Sequence, residues 1–97
     1  MKNLTVVANF QAKPGKEVEL KQILLNLVAP TRKEAGCLSY DLHQSPEDPA
    51  KFLFYETWAS KAQLDVHLAN AQIQALLPRV GELCTGFPDI VVWDKIS

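Results

Sequence analysis

The chain of 97 residues has few cysteines, no excess of one charge and no long apolar run. Its two cysteines, Cys37 and Cys84, cannot form the disulfide framework of a small secreted protein, so we expect reduced thiols in a cytoplasmic protein. With 10 basic and 11 acidic residues, the chain lacks the basic surface that neutralises phosphates, and no nucleic acid partner is expected. No apolar run approaches the roughly 20 residues that cross a bilayer, so no membrane partner is expected.

The sequence also lacks the motifs of three common kinds of chemistry. It has no glycine-rich phosphate loop, no Gly-x-Ser-x-Gly turn, and no pair of histidines with a carboxylate at a metal-ligand spacing. Nucleotide, serine-hydrolase and metal chemistry are therefore disfavoured. The remaining pattern, 47% hydrophobic residues in a short chain, predicts one globular domain over residues 1–97. A domain this small buries a modest share of its surface, which leaves an oligomer open.

Changes in hydrophobic period predict the order of strands and helices. Pro30 is expected to end or kink the first helix near Ala29, because proline donates no backbone hydrogen bond. Pro78 and Gly81 are expected to stop the last helix. The order β-α-β-β-α-β predicts an α+β, ferredoxin-like fold, with an antiparallel sheet and helices on one face. The predicted strands cover residues 5–12, 37–44, 51–58 and 89–95, and the predicted helices start at Lys16, Ser60 and Asn70.

The predicted strands are apolar on both faces, which a sheet with helices on one face does not require. Two helices can cover only one face, and an apolar patch the size of a sheet is rarely left in water. A second copy of the chain, joined by a two-fold contact, is the simplest cover, so the pattern predicts a homodimer. One face has Val6, Ala8, Phe10, Phe52, Phe54, Trp58, Ile90 and Val92, and the other has Val7, Leu53, Tyr55, Val91 and Trp93.

One histidine falls on the inner side of a predicted helix. His67 lies three residues after Leu64 and one before Leu68, on the face that should pack against the sheet. One interpretation is a core histidine bonded to a backbone carbonyl. The other is a base, because a neutral imidazole can accept a proton near neutral pH.

The third strand places polar groups among aromatic ones. Trp58 shares a strand face with Glu56 and Phe54, by the two-residue period of a strand. Trp58 is either part of the core or a pocket wall whose indole N–H donates a hydrogen bond. Glu56 is either paired at the edge or interface of the sheet, or a buried base.

Three residues of the first two strands are further candidates for polar contacts. Asn9 interrupts the apolar first strand and needs a hydrogen-bond partner if it is buried. Tyr40 is expected to project to the same side of its strand as Leu38 and Leu42. His43 lies on the opposite face of that strand and close to the turn, so we expect it to be solvated or at an interface.

Several short motifs occur in a particular order along the chain. They are Pro14-Gly15, Glu34-Ala35-Gly36-Cys37-Leu38 with Tyr40, Glu47-Asp48-Pro49, Glu56-Thr57-Trp58-Ala59-Ser60, and Leu64 with His67-Leu68. Each motif alone is weak, but their order and spacing together are fairly specific. In these features nearly the whole chain resembles the antibiotic biosynthesis monooxygenase (ABM) family of small dimeric oxygenases.

The resemblance implies a dimeric α+β barrel, with a pocket between helices and sheet in each subunit. It also implies oxidation of a small aromatic substrate, such as a quinol or a polycyclic phenol, by dioxygen without any cofactor. The pocket is expected to hold an aromatic bicycle. The resemblance assigns catalysis to His67 as base or oxyanion partner, and to Trp58 and Asn9 as hydrogen-bond donors. The residues expected to bind substrate are Tyr40, Phe54, Glu56 and Gln72.

Gln72 is a departure from the family pattern. Many members have His-Leu-x-x-x-His, whereas this chain has His67-Leu68 followed by Gln72 in the place of the second histidine. Glutamine can form hydrogen bonds but cannot act as a base near neutral pH. The family also includes haem-degrading members and an isomerase of a phosphorylated sugar derivative, so a binding or isomerising protein without oxygen chemistry stays open. The cations available for a phosphate are Arg32, Lys33 and Arg79.

Overall fold

The computed structural model describes residues 3–97, and its strands and helices follow the predicted order. The elements are β1 (Leu4–Gln11), α1 (Glu17–Asn26), α2 (Val28–Arg32), β2 (Cys37–Gln44), β3 (Lys51–Trp58), α3 (Lys61–Leu68), α4 (Ala71–Leu83) and β4 (Asp89–Asp94). The four strands form an antiparallel sheet in the order β2-β3-β1-β4, and the helices pack on one face of it. The predicted α+β, ferredoxin-like fold is therefore confirmed.

Side-chain caps begin the two helices that follow β3. The Ser60 hydroxyl accepts a hydrogen bond from the backbone N–H of Gln63 at 3.3 Å, at the start of α3. The Asn70 side chain accepts one from the backbone N–H of Ile73 at 2.8 Å, at the start of α4. Each bond satisfies an N–H group that has no partner within its own helix. Both caps are at the residues that the sequence predicts.

One of the two prolines interrupts its helix as the sequence predicts. The first helical region breaks at Leu27, close to the expected Ala29, and Pro30 lies in the first turn of α2, where an N–H has no intrahelical partner to lose. Pro78 lies inside α4, which continues to Leu83. A proline in a helix interior costs about 3 kcal/mol. The continued helix buries Val80 and Leu83 in the core, and this burial offsets the cost.

The core lies between the helices and the inner face of the sheet. Alternate residues of β1 and β3 point into it, as the two-residue period of a strand requires. The side chains of Glu56 and His67 are buried in the same layer, with 4% and 2% of their surface exposed. The largest apolar contributions come from Val6, Phe10, Phe52, Phe54 and Trp58 of the sheet and from Leu20, Leu24, Leu64, Leu76, Val80 and Leu83 of the helices.

The strand register brings Glu56 next to Tyr40. The two residues are direct partners across β3 and β2, and both side chains are buried. A β-bulge between Cys37 and Ser39 interrupts the alternation at the start of β2 and leaves Leu38 exposed. The prediction that Leu38 shares a strand face with Tyr40 is therefore wrong, because the bulge adds one residue to the alternation.

The outer face of the sheet carries an apolar patch. The register sets Tyr55, Val7 and Val91 side by side across β3, β1 and β4. Leu53 and Trp93 extend this patch along the outer strand face, and Tyr55 and Trp93 are 47% and 58% exposed. The sheet therefore has the two-sided apolar pattern that the sequence predicts.

The helices cover β4 less completely than the other strands. Ile90 and Val92 lie on its inner side, where they pair with the buried residues Ala8 and Val6. Both Ile90 and Val92 are nevertheless about half exposed. The core is therefore open to solvent along this edge of the sheet.

The two cysteines are free thiols, as predicted. Cys84 is buried at the end of α4 and Cys37 is half-buried at the start of β2, and burial raises the pKa of both thiols. Among the helices of residues 3–97, none has the length and apolar character needed to cross a bilayer.

Gly36 connects α2 to β2 in a conformation that favours glycine. Its φ is +83°, and its carbonyl accepts a hydrogen bond from the backbone N–H of Ala59 at 2.8 Å. A Cβ atom at this position would collide with the side chain of Gln63. Gly15 has the same φ of +83°, but a Cβ atom there would meet no atom of residues 3–97 within 4 Å.

We expect Gly36→Ala to lower the free energy of unfolding by about 3 kcal/mol, because left-handed strain and a steric clash add together. Gly15→Ala is the matched control, which has only the strain and should cost about 1 kcal/mol. Equilibrium unfolding in urea measures both costs. Adding Gln63→Ala to the Gly36→Ala variant should recover the part of the clash that is due to the Gln63 carboxamide, but not the part due to its Cβ atom, which alanine keeps. Equal costs for the two single alanine variants would contradict this explanation.

Candidate active site

A small cavity opens between the inner face of the sheet and helices α3 and α4. Its volume is about 70 Å³. Glu56, His67 and Tyr40 supply its polar groups. The rest of the wall is apolar and includes Phe10, Phe54, Leu27, Leu76 and Val80, with Leu68, Leu77 and Ile90 as an exposed rim.

The cavity is smaller than the sequence analysis predicts. A cavity of about 150 Å³ holds a single benzene ring, so a volume of about 70 Å³ does not enclose an aromatic bicycle. Its apolar surface continues outward over Leu68, Leu77 and Ile90. Even a single-ring aromatic ligand would therefore lie partly inside the cavity and partly on this rim.

Aromatic side chains hold the imidazole of His67 in place. The ring centroids of Trp58 and His67 are 4.6 Å apart, with planes inclined by 33°. Tyr40 meets His67 edge-on at 5.5 Å and stacks on Phe54 at 4.5 Å. Trp58 is completely buried and does not line the cavity. It therefore does not form the predicted pocket wall, because its ring packs on His67 within the core.

A carboxylate binds the buried histidine. Nδ1 of His67 lies 3.0 Å from Oε2 and 3.3 Å from Oε1 of Glu34, which belongs to the turn before β2. The side-chain amide of Asn70 donates to the same Oε2 at 3.1 Å. Sequence analysis gives Glu34 no role in the site. The motif Glu34-Ala35-Gly36 draws attention to Glu34 in the sequence. It does not indicate that Glu34 contacts a residue 33 positions away.

This pairing determines which ring nitrogen of His67 is free. An ionised carboxylate only accepts hydrogen bonds, so Nδ1 carries the proton that is donated to Glu34. Nε2 then presents a lone pair, and no group within residues 3–97 forms a hydrogen bond with it. Since His67 lines the cavity, this lone pair can accept a proton from a ligand there. The interpretation of His67 as a core residue bonded to a backbone carbonyl does not hold.

A second buried carboxyl group faces the same cavity. The indole N–H of Trp58 donates to Oε1 of Glu56 at 2.9 Å, along one face of β3. The pKa of Glu56 is raised to about 7, chiefly by burial; the Trp58 hydrogen bond lowers it in part, and the negative charge of Glu34 adds a smaller increase. Glu56 is therefore a carboxylic acid for a large fraction of the time near neutral pH. The prediction of a pair at the sheet edge or interface is wrong, because β3 is an inner strand.

Tyr40 adds a neutral phenol to the cavity wall. Burial raises the pKa of its hydroxyl well above the usual value of 10.0, and the nearby Glu56 contributes to the shift. Tyr40 therefore keeps its proton at physiological pH. Its side chain can orient a ligand by stacking and by donating a hydrogen bond.

Two of the predicted site residues lie elsewhere. Asn9 is exposed on the outer face of β1, where it borders two open depressions of about 320 and 400 Å³. The prediction that Asn9 lines the pocket is wrong, because the strand alternation places it on the same side as Val7. Gln72 is exposed on α4 and lines a separate surface depression with Ile23 and Arg79. Neither residue is brought together with His67.

The polar groups of the cavity are not a metal site or a phosphate site. Within the described part of the chain, residues 3–97, no three His, Cys, Asp or Glu side chains are arranged to hold a metal ion. No lysine or arginine of these residues lines the cavity. Arg32 pairs with Asp41 at 2.9 Å and Arg79 pairs with Glu19 at 2.7 Å, both at the surface. A phosphorylated ligand would therefore meet no cation inside.

The raised pKa of Glu56 makes stability depend on pH. Between about pH 4.5 and pH 7 the folded chain keeps a proton that the unfolded chain releases, so stability falls as pH rises. Glu56→Gln retains the shape but does not titrate. We expect its free energy of unfolding, relative to wild type, to rise by about 2 to 3 kcal/mol from pH 5 to pH 8. Urea unfolding at both pH values measures this difference, and a difference that stays constant would show that Glu56 is ionised in the folded protein.

Comparison with known proteins identifies relatives of this chain. The family model described as antibiotic biosynthesis monooxygenase matches residues 3–79. Rv0793 of Mycobacterium tuberculosis is 34% identical over 82 residues, which cover 84% of this chain and 80% of that protein, and its name assigns it provisionally to the monooxygenases. Protein sll1783 of Synechocystis sp. is 27% identical over 90 residues, and the match spans 93% of this chain but only 61% of that longer protein.

Solved structures show the same fold along the full chain. The crystal structure of PA3566 from Pseudomonas aeruginosa matches with a TM-score of 0.94 and 33% identity, covering 100% of this chain and 97% of that one. The structure of Rv0793 matches with a TM-score of 0.92, covering 98% of this chain and 96% of that one. The family model, the sequence identity and the shared fold together show that this chain belongs to the antibiotic biosynthesis monooxygenase family.

Proposed function

We propose that this protein is a monooxygenase that oxidises a quinol or a polycyclic phenol with dioxygen. The observation that carries the proposal is the oriented imidazole of His67, with Nδ1 held by Glu34 at 3.0 Å and Nε2 free in an apolar cavity. Such a pair takes a proton from a ligand while the carboxylate stabilises the imidazolium that forms. Membership in the ABM family and the provisional monooxygenase name of Rv0793 support the same reaction class.

The proposed reaction takes all its electrons from the substrate. Nε2 of His67 removes the phenolic proton, and the phenolate passes one electron to dioxygen. The resulting phenoxyl radical and superoxide form a C–O bond at a ring carbon that carries hydrogen. The outer oxygen of the resulting peroxide takes the proton from the imidazolium. Loss of the ring hydrogen as a proton then breaks the O–O bond, and the departing hydroxide combines with that proton to give water. One phenol and one dioxygen thus give one quinone and one water, and no external reductant is consumed.

The shape of the cavity limits how such a substrate binds. The polar groups lie inside, whereas Leu68, Leu77 and Ile90 offer apolar surface at the rim. We therefore expect the hydroxyl-bearing end of the substrate to point inward toward His67 and Glu56. The remaining rings would lie over the rim, where they bury apolar surface.

An isomerase without oxygen chemistry is the second candidate. The observation that favours it is the presence of a base, His67, and a largely protonated acid, Glu56, in one cavity. Moving a hydrogen along a carbon chain needs one group that accepts a proton and one that donates it. The absence of lysine and arginine from the lining contributed by residues 3–97 argues against a phosphorylated substrate for such an isomerase.

The proposal includes a homodimer in the cytoplasm. The apolar patch of the outer sheet face, defined by Val7, Leu53, Tyr55, Val91 and Trp93, would be covered by the same patch of a second copy. A patch of this kind left in water would be unusual for a monomer. The two free thiols support a reducing compartment.

We expect the purified protein, freed of metals, to accelerate oxygen uptake by single-ring quinols, dihydroxynaphthalenes or anthrones. His67→Ala should slow the reaction by about 100-fold or more, because the base is lost. Glu34→Gln should slow it by about 10-fold, because an amide can accept the Nδ1 hydrogen bond but has no charge to stabilise the imidazolium. An oxygen electrode measures the rates.

His43→Ala is the matched control for these variants. His43 is the other histidine of the chain and lies exposed on β2, outside the cavity. Its substitution should leave the rate unchanged, and all variants should keep the circular dichroism spectrum of the wild type. Binding of the panel compounds without any oxygen uptake would contradict the monooxygenase proposal and favour the isomerase.

We expect light scattering at low micromolar concentration to give twice the chain mass of 10.8 kDa. Tyr55→Lys should produce a monomer, because a charge within the patch cannot be desolvated at the contact. Val66→Lys is the control, since Val66 is an exposed apolar residue on α3, away from the sheet. A wild-type monomer, or a Tyr55→Lys variant that remains a dimer, would show that this face is not the interface.

A further inference from the structure

We propose that Glu56 is a catalytic residue that donates a hydrogen bond to the ligand oxygen that becomes negatively charged when His67 accepts a proton. This role of Glu56 extends the proposed function. It rests on that function in one assumption, which is that the ligand binds in the cavity. It assigns opposite tasks to two groups of the cavity, with His67 as the proton acceptor and Glu56 as the neutral donor to the oxyanion.

The geometry fixes which oxygen of Glu56 is available. Oε1 accepts the indole N–H of Trp58 at 2.9 Å, whereas Oε2 has no hydrogen-bond partner within residues 3–97. Because Glu56 lines the cavity and Trp58 does not, the free oxygen is the one that a ligand can reach. The proton of the carboxylic acid therefore belongs on Oε2, since Oε1 is occupied as an acceptor.

The surroundings of Glu56 favour a neutral donor there. The ionisable groups near it are Tyr40 on the neighbouring strand, His67 on α3, Cys37 at the start of β2, and Glu34 in the turn before β2. None of these is a lysine or an arginine, so no permanent cation stabilises a Glu56 carboxylate. An anionic ligand would in turn be repelled by an ionised Glu56. The raised pKa of about 7 agrees with this arrangement.

The Trp58 hydrogen bond makes Glu56→Gln a mimic of the protonated acid. The amide oxygen would accept from the indole N–H, as Oε1 does now, and the NH2 group would then face the cavity as a donor. The amide cannot ionise, so its donor is present at every pH. Glu56→Leu keeps similar bulk but has no donor. The pair of variants thus separates hydrogen-bond donation from packing.

The test is the binding of 2,4-dinitrophenol, a single-ring phenol that is an anion across the pH range used, measured by titration calorimetry. At about pH 6, Glu56→Gln should bind within about 3-fold of wild type, and Glu56→Leu should bind at least about 10-fold more weakly. Between about pH 6 and pH 8.5, the affinity of wild type relative to Glu56→Gln should fall at least about 10-fold, because only Glu56 becomes ionised. His67 is present in both proteins, so the comparison isolates the change made at Glu56.

Three results would overturn the inference. The first is equal affinity of the Gln and Leu variants at about pH 6, with both variants folded by circular dichroism, since Glu56 would then act only by packing. The second is a wild-type protein that does not bind the anion. The third is a wild-type affinity, relative to Glu56→Gln, that does not change with pH. Binding needs no oxygen, so a lack of oxygen uptake combined with the expected binding pattern would reject the monooxygenase and leave the role of Glu56 intact.

Discussion

The hydrogen bond between His67 and Glu34 joins parts of the chain that are far apart in sequence. Glu34 belongs to the turn before β2, His67 lies on α3, and Asn70, which caps α4, donates to the same carboxylate. The bond therefore fixes both the ring orientation of His67 and the position of two helices over the sheet. The cavity lies between these helices and the sheet, so its shape and its basic nitrogen depend on one carboxylate. Removing that carboxylate would leave a buried imidazole N–H without an acceptor, which is costly.

The two glutamates near His67 show how environment sets the role of one residue type. Glu34 is partly exposed, with 22% of its side chain in contact with solvent, and it accepts hydrogen bonds from two side chains. Glu56 is 4% exposed and accepts a single hydrogen bond, from Trp58. Solvent and hydrogen-bond donors stabilise a charge, whereas burial disfavours it. Glu34 is thus suited to hold a histidine that becomes positively charged, and Glu56 to hold a proton.

Local patterns predicted most of the fold and failed where burial or an irregular strand overrode them. The caps at Ser60 and Asn70 act within a single turn of helix, so spacing along the chain is enough to find them. Pro78 looks like a stop signal, but α4 continues past it because Val80 and Leu83 are buried beyond. Leu38 fits the strand alternation, but the β-bulge at its position leaves it exposed. A bulge leaves no mark in the hydrophobic period, because it depends on the pairing between two strands.

The sequence by itself determined the faces on which the main site residues lie. Helical spacing placed His67 inward, and the two-residue period placed Glu56 on the same strand face as Trp58 and Phe54. Family resemblance led to the wrong expectation that Asn9 lines the pocket, whereas the strand alternation sets it beside Val7. Only the tertiary structure decided that Glu34 is the partner of His67 and that the cavity has a volume of about 70 Å³. The physical reason is that the face of a side chain follows from the geometry of its own helix or strand. Contacts across 33 residues and the space left between layers follow from how all the side chains pack together.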